Sequence, residues 1–289
     1  MHTVTQYFST SEVAQLLGVH VSTIKRWTKE GKLECIKTVG GHRKFSFLHI
    51  AQFLQDHQEQ VDQTNLLPIE SEEDLQISYE IMNGNADFLG EYIFTQAIRR
   101  NRKQVHKVLN GLALAQYPLY RIYDEILTPV LHRIGDQWEA NELTVIEEHI
   151  AAQTIRDAII RLQGILPLPE ETHGNVLCLS LTSELHDIAI KMADHILEQR
   201  GFTVLFSGQM TPLYGIETIL QKYEVSRLYI SSTFVPNVNR AQFELDYLYD
   251  HCSAHETDVI VGGTGFDTME YDHPAVKARL YTFKEIQEY

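Results

Sequence analysis

The hydrophobic positions near the N-terminus repeat with the spacing of two short helices. Ser9 and Glu12 form a capping-box pair before the first apolar run, Gly18 makes a turn, and a second helix is predicted from Ser22 to Gly31. Two short helices joined by a glycine turn are typical of a helix-turn-helix, whose second helix enters a DNA major groove. The apolar positions that face the predicted core are Val13, Leu16, Leu17, Ile24 and Trp27.

A hairpin is predicted in the stretch IKTVGGHRKFSF that follows. Two strand-like runs flank Gly40 and Gly41, a pair that suits a tight turn. Basic side chains beside such a turn form a wing that can contact a phosphate backbone. A single basic residue is most often part of a solvated surface, but the helices, the turn and the wing together favour DNA binding. The residues predicted to contact DNA are Thr23, Lys25 and Arg26 of the second helix and His42, Arg43 and Lys44 of the wing.

The middle of the chain changes from a polar stretch to a helical pattern. Residues 57–76 are predicted to be a linker that follows a first domain at 1–56, because they are polar and acidic and largely lack periodicity. Residues 77–168 carry apolar stripes at helical spacing, which predict a four-helix bundle with breaks near Pro118 and Gly135. The stripes are Phe88, Tyr92, Ile93 and Ala97; Val105, Val108, Leu109 and Leu112; Ile122, Ile126, Val130 and Ile134; and Ile150, Ile155, Ile159 and Leu162.

The last part of the chain, residues 173–289, alternates between apolar strands and helical runs. The runs NVLCLSL, TVLFSG, RLYISS and DVIVGG are predicted strands, and ARLYTF is a candidate for a last one. Continuous apolar strands between helices indicate a buried parallel sheet of the Rossmann-like, flavodoxin-like type. Ligands of such sheets bind outside the carboxyl ends of the strands. The segments expected at that edge are 183–186, 231–234 and the glycine pair 262–263.

The composition fits a multidomain protein of the cytoplasm. The chain has 289 residues, of which 44% are hydrophobic, so it can build two or three cores. No apolar run approaches the roughly 20 residues of a membrane span, and the N-terminus lacks the pattern of a signal peptide. The three cysteines, without a CxxC pair, argue against a disulfide framework. We therefore expect cytoplasmic localisation and no membrane partner.

The net charge of −15 is unevenly distributed. Residues 1–60 hold seven Lys and Arg against five Asp and Glu, a net charge of +2, so the remainder carries −17. A mildly basic head on an acidic body suggests that one small region contacts phosphate while the rest has another role.

Three residues of the bundle stretch WEANELTVIEEHI have side chains that could bind a ligand or a metal. From periodicity alone, Trp138 is most often a core residue, and Glu148 and His149 most often lie on a solvated face. Together with His132 they could also be metal ligands. However, adjacent residues project about 100° apart on a helix, unlike the i, i+4 spacing of a helical zinc pair, which disfavours that interpretation.

His186 is predicted to lie where the sheet presents groups to a ligand, with Asp187 beside it. Glycines after the fourth strand, Gly262 and Gly263, would let a bulky flat molecule approach the backbone. A phosphate site is a competing interpretation, but the first loop has neither GxGxxG nor GKS/T.

The first 55 residues resemble the winged helix-turn-helix of MerR-type regulators. The resemblance lies in TSEVAQLLGVHVSTIKRWTKEGKL followed by GGHRKF. It implies a dimer or higher homo-oligomer that reads paired half-sites in double-stranded DNA, since one such domain buries too little surface to be specific alone.

The tail segments ELHDIA, ISSTF and VGG are similar to the cobalamin-binding module of methionine synthase and the mutases, whose pattern is D-x-H-x-x-G, then S-x-L, then G-G. The resemblance implies that His186 is the lower axial ligand of cobalt, a role that suits a neutral imidazole nitrogen. The remaining residues that it implies around the cofactor and its displaced dimethylbenzimidazole tail are Glu184, Asp187, Ser231, Thr233, Gly262 and Gly263.

This sequence departs from the cobalamin pattern at three positions. Glu184 replaces Asp, with some loss of precision; Ala189 replaces Gly, which adds a methyl group near the tail channel; and Thr233 replaces Leu. These departures bear on the affinity for cobalamin more than on the existence of the site.

The bundle is similar to that of the CarH/LitR class, MerR-type photoreceptors that use adenosylcobalamin, because Trp138, Glu148 and His149 reproduce the spacing W-x(9)-E-H. The resemblance implies that these residues and Val145 enclose the adenosyl group. Light-responsive members carry a histidine directly after the Trp, which binds cobalt once the adenosyl group has left, whereas this chain has Glu139. The bis-histidine adduct is therefore in question.

Taken together, the sequence predicts a multidomain α and α/β protein that is a transcriptional repressor and not an enzyme. Its grip on DNA is expected to depend on adenosylcobalamin and to be released by light. One alternative is a MerR-type regulator that answers to another ligand or to a protein partner. Another is a corrinoid methyl-transfer carrier, which leaves residues 1–55 unexplained.

Overall fold

The computed structural model describes residues 7–57 and 71–289. The chain divides into two compact units. The first comprises Met1–Pro118 and Glu125–Ala158, and the second comprises Leu119–Asp124 and Ile159–Tyr289.

The first unit begins with a winged helix-turn-helix. Strands β1 (Phe8–Ser9), β2 (Ile36–Lys37) and β3 (Arg43–Phe45) form an antiparallel sheet in the order β1-β3-β2, around helices α1 (Thr10–Leu16), α2 (Val21–Lys29) and α3 (Phe47–Asp56). The predicted turn is confirmed, since Gly18 has a φ of +64° between α1 and α2. The N-cap of α2 is His20 and not the predicted Ser22, because the His20 side chain accepts a hydrogen bond from the Ser22 backbone N–H.

The capping box at the start of α1 is confirmed. The Ser9 hydroxyl accepts from the Glu12 backbone N–H at 3.3 Å, and the Glu12 carboxylate accepts from the Ser9 N–H at 2.6 Å. Glu12 also accepts a 3.2 Å hydrogen bond from the Tyr79 hydroxyl. Its hydrogen bond to the Ser9 backbone, helped by those to the Ser9 and Tyr79 hydroxyls, outweighs partial burial and lowers the pKa of Glu12.

Helix α4 (Glu72–Asn83) begins inside the range 57–76 that was predicted as a linker, and residues 58–70 of that range lie outside the described residues. Leu75 is fully buried in the hydrophobic cluster of the helix-turn-helix, and Tyr79 and Met82 pack against the same cluster. Helix α4 is therefore part of the core of the helix-turn-helix domain as well as of the bundle.

The four predicted helical stripes lie in the helices that follow α4. The order is α5 (Ala86–Ile98), α6 (Arg102–Leu114), α7 (Leu119–Arg121) continued by a π-helical turn (Ile122–Leu127) into α8 (Thr128–Glu139), and α9 (Val145–Gln163). The predicted break at Pro118 is confirmed, but Gly135 lies inside α8 and does not end a helix. In α5 the predicted stripe is confirmed at Ile93 and Ala97, which are buried, whereas Phe88 and Tyr92 are half-buried. Leu89 and Phe94, which were not predicted, are buried as well.

The second unit contains the predicted parallel sheet and its helices. The elements are β4 (Asn175–Ser180), α10 (Ile188–Gln199), β5 (Thr203–Gly208), α11 (Ile216–Lys222), β6 (Val225–Ser231), α12 (Val238–Ala254), β7 (Asp258–Gly262), β8 (Val276–Leu280) and α13 (Phe283–Glu288). The strands lie in the order β5-β4-β6-β7-β8. Alternate residues of β4 pack on opposite faces, Leu177 and Leu179 in one cluster and Val176 and Cys178 in the other, which explains the continuous apolar run. Helix α13 and a 3-10 turn at Thr264–Asp267 were not predicted.

Residues 119–124 belong to the α/β unit by packing. The buried Tyr123 hydroxyl lies 2.7 Å from Nδ1 of His195 in α10. Burial lowers the pKa of His195 to about 3, so the buried imidazole ring is neutral. The Asp124 carboxylate accepts hydrogen bonds from the backbone N–H groups of Phe283 and Lys284, at 2.8 and 2.9 Å, and so caps α13.

Candidate functional site

Three loops at the carboxyl edge of the sheet are joined at one residue, Glu184, whose carboxylate is buried. One of its oxygens accepts hydrogen bonds from the backbone N–H of Thr233 at 2.5 Å and of Phe234 at 3.0 Å, in the loop after β6. The backbone carbonyl of Glu184 accepts a 3.2 Å hydrogen bond from the N–H of Met210, which lies in the loop after β5. The side chain of Glu184 therefore fixes the loop after β4 to the loop after β6, and its backbone fixes it to the loop after β5.

The other carboxylate oxygen of Glu184 orients His186. It accepts from the His186 backbone N–H at 2.8 Å and lies 2.7 Å from Nδ1 of the ring. Burial raises the pKa of Glu184, but the hydrogen bonds from His186, Thr233 and Phe234 together lower it more, so the carboxylate is ionised.

An ionised carboxylate only accepts hydrogen bonds, so Nδ1 of His186 is the donor in this pair. The neutral ring then carries its lone pair on Nε2, the atom that can bind a metal. The imidazole is 55% exposed while the Glu184 side chain is 2% exposed. The arrangement is that of a nitrogen donor whose tautomer and direction are set by a buried carboxylate.

The remaining predicted residues of this edge surround the same loops. Asp187 is buried at the start of α10, and Ser231 is buried at the end of β6. Thr233 is exposed, although its backbone N–H is bonded to Glu184. Ser231 pairs in register with Gly262 of β7. The structure therefore brings the predicted segments together, as the topology required.

Gly263 also has a structural role that was not predicted from the sequence. Its φ is +96°, and a Cβ atom there would lie 2.1 Å from the Ser232 carbonyl oxygen. The Ser232 N–H also donates to the Gly262 carbonyl at 3.0 Å. Glycine at 263 is therefore required by the close approach of the two loops to each other, before any ligand is considered.

The predicted bundle residues lie around the turn between α8 and α9. Trp138 is 44% exposed near the end of α8, so the interpretation of this residue as core is wrong. Val145 begins α9 and is 51% exposed, Glu148 is half-buried, and Nδ1 of the exposed His149 contacts the Glu148 carboxylate. The exposed Ile146 on the same turn of α9 has no counterpart in the sequence prediction.

Glu139 is exposed at the last residue of α8. His132 is exposed about two turns earlier on the same helix. Within residues 7–57 and 71–289, no three His, Cys, Asp or Glu side chains come together as a metal site.

The predicted DNA-contacting residues lie on α2 and on the wing. Lys25 and Arg26 are exposed and Thr23 is half-buried, while Ile24 and Trp27 of the same helix are buried. The wing turn is closed by two backbone hydrogen bonds, from the Thr38 N–H to the His42 carbonyl and from the Gly41 N–H to the Thr38 carbonyl, both at 2.9 Å. His42 at its end is exposed. Arg43 and Lys44 are half-buried on β3, and the fully exposed side chain at the wing tip, Val39, was not predicted.

Comparison with known proteins gives matches to a DNA-binding type of domain, the helix-turn-helix, and to a B12 binding domain. The helix-turn-helix domain family matches residues 7–58, and the B12 binding domain family matches residues 91–163, which cover most of the helices α5 to α9. The HTH-type transcriptional repressor CarH of Myxococcus xanthus is 28% identical over 211 residues, which are 69% of this chain and 70% of CarH.

Among solved structures, the monomethylamine corrinoid protein of Methanosarcina barkeri superposes with a TM-score of 0.57. The match covers 70% of this chain and 96% of the corrinoid protein at 14% identity, so it shows a shared fold. In the ranges that the structure describes, none of the helices has the length and apolar character to cross a membrane.

Proposed function

We propose that this CarH-like chain, a cobalamin-binding transcriptional regulator with a helix-turn-helix domain before its B12 binding domain, is a repressor whose grip on DNA is controlled by adenosylcobalamin and by light. The combination of the two domains in one chain is the observation that supports the regulatory role. The Glu184–His186 pair is the observation that supports the cofactor, because it presents one oriented nitrogen donor at the ligand edge of the sheet.

The donor set of the α/β unit fits a corrinoid. His186 would bind the cobalt through Nε2, and Glu184 would keep that nitrogen aimed and basic. The residues that we assign to the edge and tail of the cofactor are Asp187, Ser231, Thr233, Gly262 and Gly263.

We assign residues of the turn between α8 and α9 to the upper axial group of the cofactor. Trp138, Val145, Glu148 and His149 would contact the upper axial group, and the exposure of Trp138 and Val145 leaves them available for it. Adenosylcobalamin supplies a cobalt–carbon bond that light can break. Trp138 would lose a packing partner when the adenosyl group leaves, and Glu139 would offer a carboxylate where the family has a histidine.

The DNA side of the proposal depends on several heads acting together. Lys25 and Arg26 are exposed on α2 and would enter the major groove, while His42, Arg43 and Lys44 of the wing would contact phosphates. We propose that the chain forms a homo-oligomer in which several heads bind at once, so loss of assembly alone would release the operator.

An absorption spectrum of the reconstituted protein tests the cofactor assignment. We expect wild type to retain the corrinoid after desalting with a histidine-ligated spectrum, and His186→Ala to lose that spectrum or the corrinoid itself. His132→Ala, a change at another exposed histidine, is the matched control. A wild-type spectrum in His186→Ala would refute the axial role.

Gel shifts with adenosylcobalamin, in darkness and after green light, test the regulatory claim. We expect a complex in darkness that is lost after illumination. Equal shifts in both conditions would refute the light response. The Lys25→Ala and Arg26→Ala variants should lose DNA binding while they retain the cofactor.

A second candidate is a regulator that does not bind a corrinoid. It is favoured by Ala189, whose methyl group replaces a glycine hydrogen near the proposed tail, and by Glu139. A colourless protein after desalting would support this candidate over the first.

A further inference from the structure

Three large apolar side chains beside His186 are exposed. Leu185 is 61% exposed, Met210 is 53% exposed and Phe234 is 62% exposed. They come from the loops after β4, β5 and β6 respectively. Large apolar side chains that gather on a surface mark a place where something else binds.

The backbones of these residues are held together at Glu184. Leu185 follows it in the chain, Met210 donates its N–H to the Glu184 carbonyl at 3.2 Å, and Phe234 donates its N–H to the Glu184 carboxylate at 3.0 Å. The same carboxylate holds Nδ1 of His186. The apolar side chains and the imidazole therefore share one anchor, and their grouping is fixed by hydrogen bonds.

Met210 shows that this grouping is maintained at a cost. Its φ of +54° lies in the left-handed region, which long side chains rarely adopt. Such a conformation persists only where the surroundings determine it, here through the bond to Glu184. The neighbouring Gly208, with a φ of +76°, completes the bend after β5.

The chemistry of this grouping indicates what kind of metal species it can accept. A free transition-metal ion needs three or four protein donors, whereas three of the residues held at Glu184 beside His186 carry apolar side chains. Desolvating a hydrated cation against such side chains is unfavourable. A metal that already carries an equatorial macrocycle needs only one more nitrogen and presents a broad ring face to the apolar side chains.

We propose that Leu185, Met210 and Phe234 form an apolar platform around His186 on which the face of a metal-carrying macrocycle rests. The proposal rests on the corrinoid-binding function above and names the residues that provide most of the contact area. His186 sets the axial ligation, whereas the platform contributes affinity that does not depend on the metal bond.

Each platform residue should contribute separately to affinity. Covering roughly 55 Å² of apolar surface with the ring corresponds to about a tenfold change in Kd. Because the three side chains are exposed in the described structure, their replacement by serine removes this surface without opening a cavity in the core. The backbone N–H of Met210 and of Phe234 remains, so the bonds to Glu184 are kept.

The test measures the Kd of aquocobalamin for the full chain by equilibrium dialysis. Leu185→Ser, Met210→Ser and Phe234→Ser should each raise Kd about tenfold while the bound form keeps the wild-type spectrum. Leu168→Ser, at a leucine that is 58% exposed between α9 and β4, is the matched control and should leave Kd unchanged.

The outcomes separate the platform from the proposed function. Wild-type Kd values in all three platform variants, together with a spectrum that depends on His186, would overturn the platform and leave the corrinoid function intact. No binding by wild type would overturn both. Retention of Co²⁺ alone by wild type, but not by His186→Ala, would overturn the inference that the metal must arrive with its own ring.

Discussion

Replacement of Glu184 by glutamine tests whether this carboxylate holds the site together. The amide has the same shape but turns one acceptor oxygen into an NH₂ donor. In one orientation of the amide, the NH₂ group would face the backbone N–H groups of Thr233 and Phe234. In the other orientation, it would face the backbone N–H and the Nδ1–H of His186. At least two hydrogen bonds to a charged group are lost.

The size of the effect follows from those bonds. A hydrogen bond to a charged group contributes about 1.5 to 3 kcal/mol, and Glu184 is 1% exposed, so water cannot take over its role. We expect Glu184→Gln to lower the free energy of unfolding of the α/β unit by about 3 kcal/mol at pH 7. The corresponding fall in the melting temperature of this unit is about 10 °C.

The difference should also depend on pH with a defined sign. The folded-state pKa of Glu184 lies below the ordinary value of 4.5, despite the opposing effect of burial. The stabilisation is therefore fully present above pH 4.5 and is lost as the pH falls through the folded-state pKa. In that window wild type approaches the variant, because a protonated carboxyl group resembles the amide.

Hydrogen exchange of the peptides that cover β4 and β6, read by mass spectrometry at pH 7 and near pH 4, measures the effect within the α/β unit. Glu170→Gln changes an exposed carboxylate of the same unit and should match wild type. Equal protection of wild type and Glu184→Gln at pH 7 would show that Glu184 does not hold the loops, and the argument for an oriented His186 would fail with it.

Three further changes test contacts elsewhere in the chain. Tyr79→Phe removes the hydroxyl that bonds Glu12 and should destabilise the first unit by about 1 kcal/mol in calorimetry; an unchanged melting temperature would contradict a role for this bond. Lys107→Met removes the ammonium group that lies 2.6 Å from the Asp74 carboxylate, whose side chain is 4% exposed. In urea unfolding the variant should lose about 3 kcal/mol of stability, and adding Asp74→Leu to the same chain should recover most of that loss. Tyr123→Phe removes the hydroxyl that bonds the buried His195 of α10. It should destabilise the α/β unit by about 1 kcal/mol, which lowers its melting temperature by a few degrees. No change would mean that water replaces the hydroxyl.

The parallel sheet could be predicted from sequence because its signal is local. Each strand is a short continuous apolar run between helical patterns, and burial on both faces leaves such a run. Helix α4 was placed too late because Glu72, Glu73 and Asp74 resemble a polar linker. They are instead the first turn of a helix capped by Ser71, where acidic side chains complement the helix dipole.

The chemistry of the site could be predicted only in part. The position of His186 followed from topology, and its assignment as a ligand followed from resemblance. The platform residues Leu185, Met210 and Phe234 were missed because exposed apolar side chains in loops have no periodicity. The pairing of Asp74 with Lys107 was missed for a related reason, since it joins two helices and leaves no local pattern.

The glutamate at position 184 has a physical reason that the comparison of motifs did not reveal. The related pattern has Asp there, and the longer side chain was predicted to lose precision. In this structure one carboxylate oxygen reaches Nδ1 of His186 while the other reaches the backbone of Thr233 and Phe234. An Asp on the same backbone would end one carbon–carbon bond, about 1.5 Å, sooner. It could keep the bond to the imidazole or the bonds to the loop after β6, but both would require that loop to move closer. The extra methylene is therefore matched to the separation of the two loops, and the imidazole of His186 and the backbone of Phe234 are held by the same carboxylate.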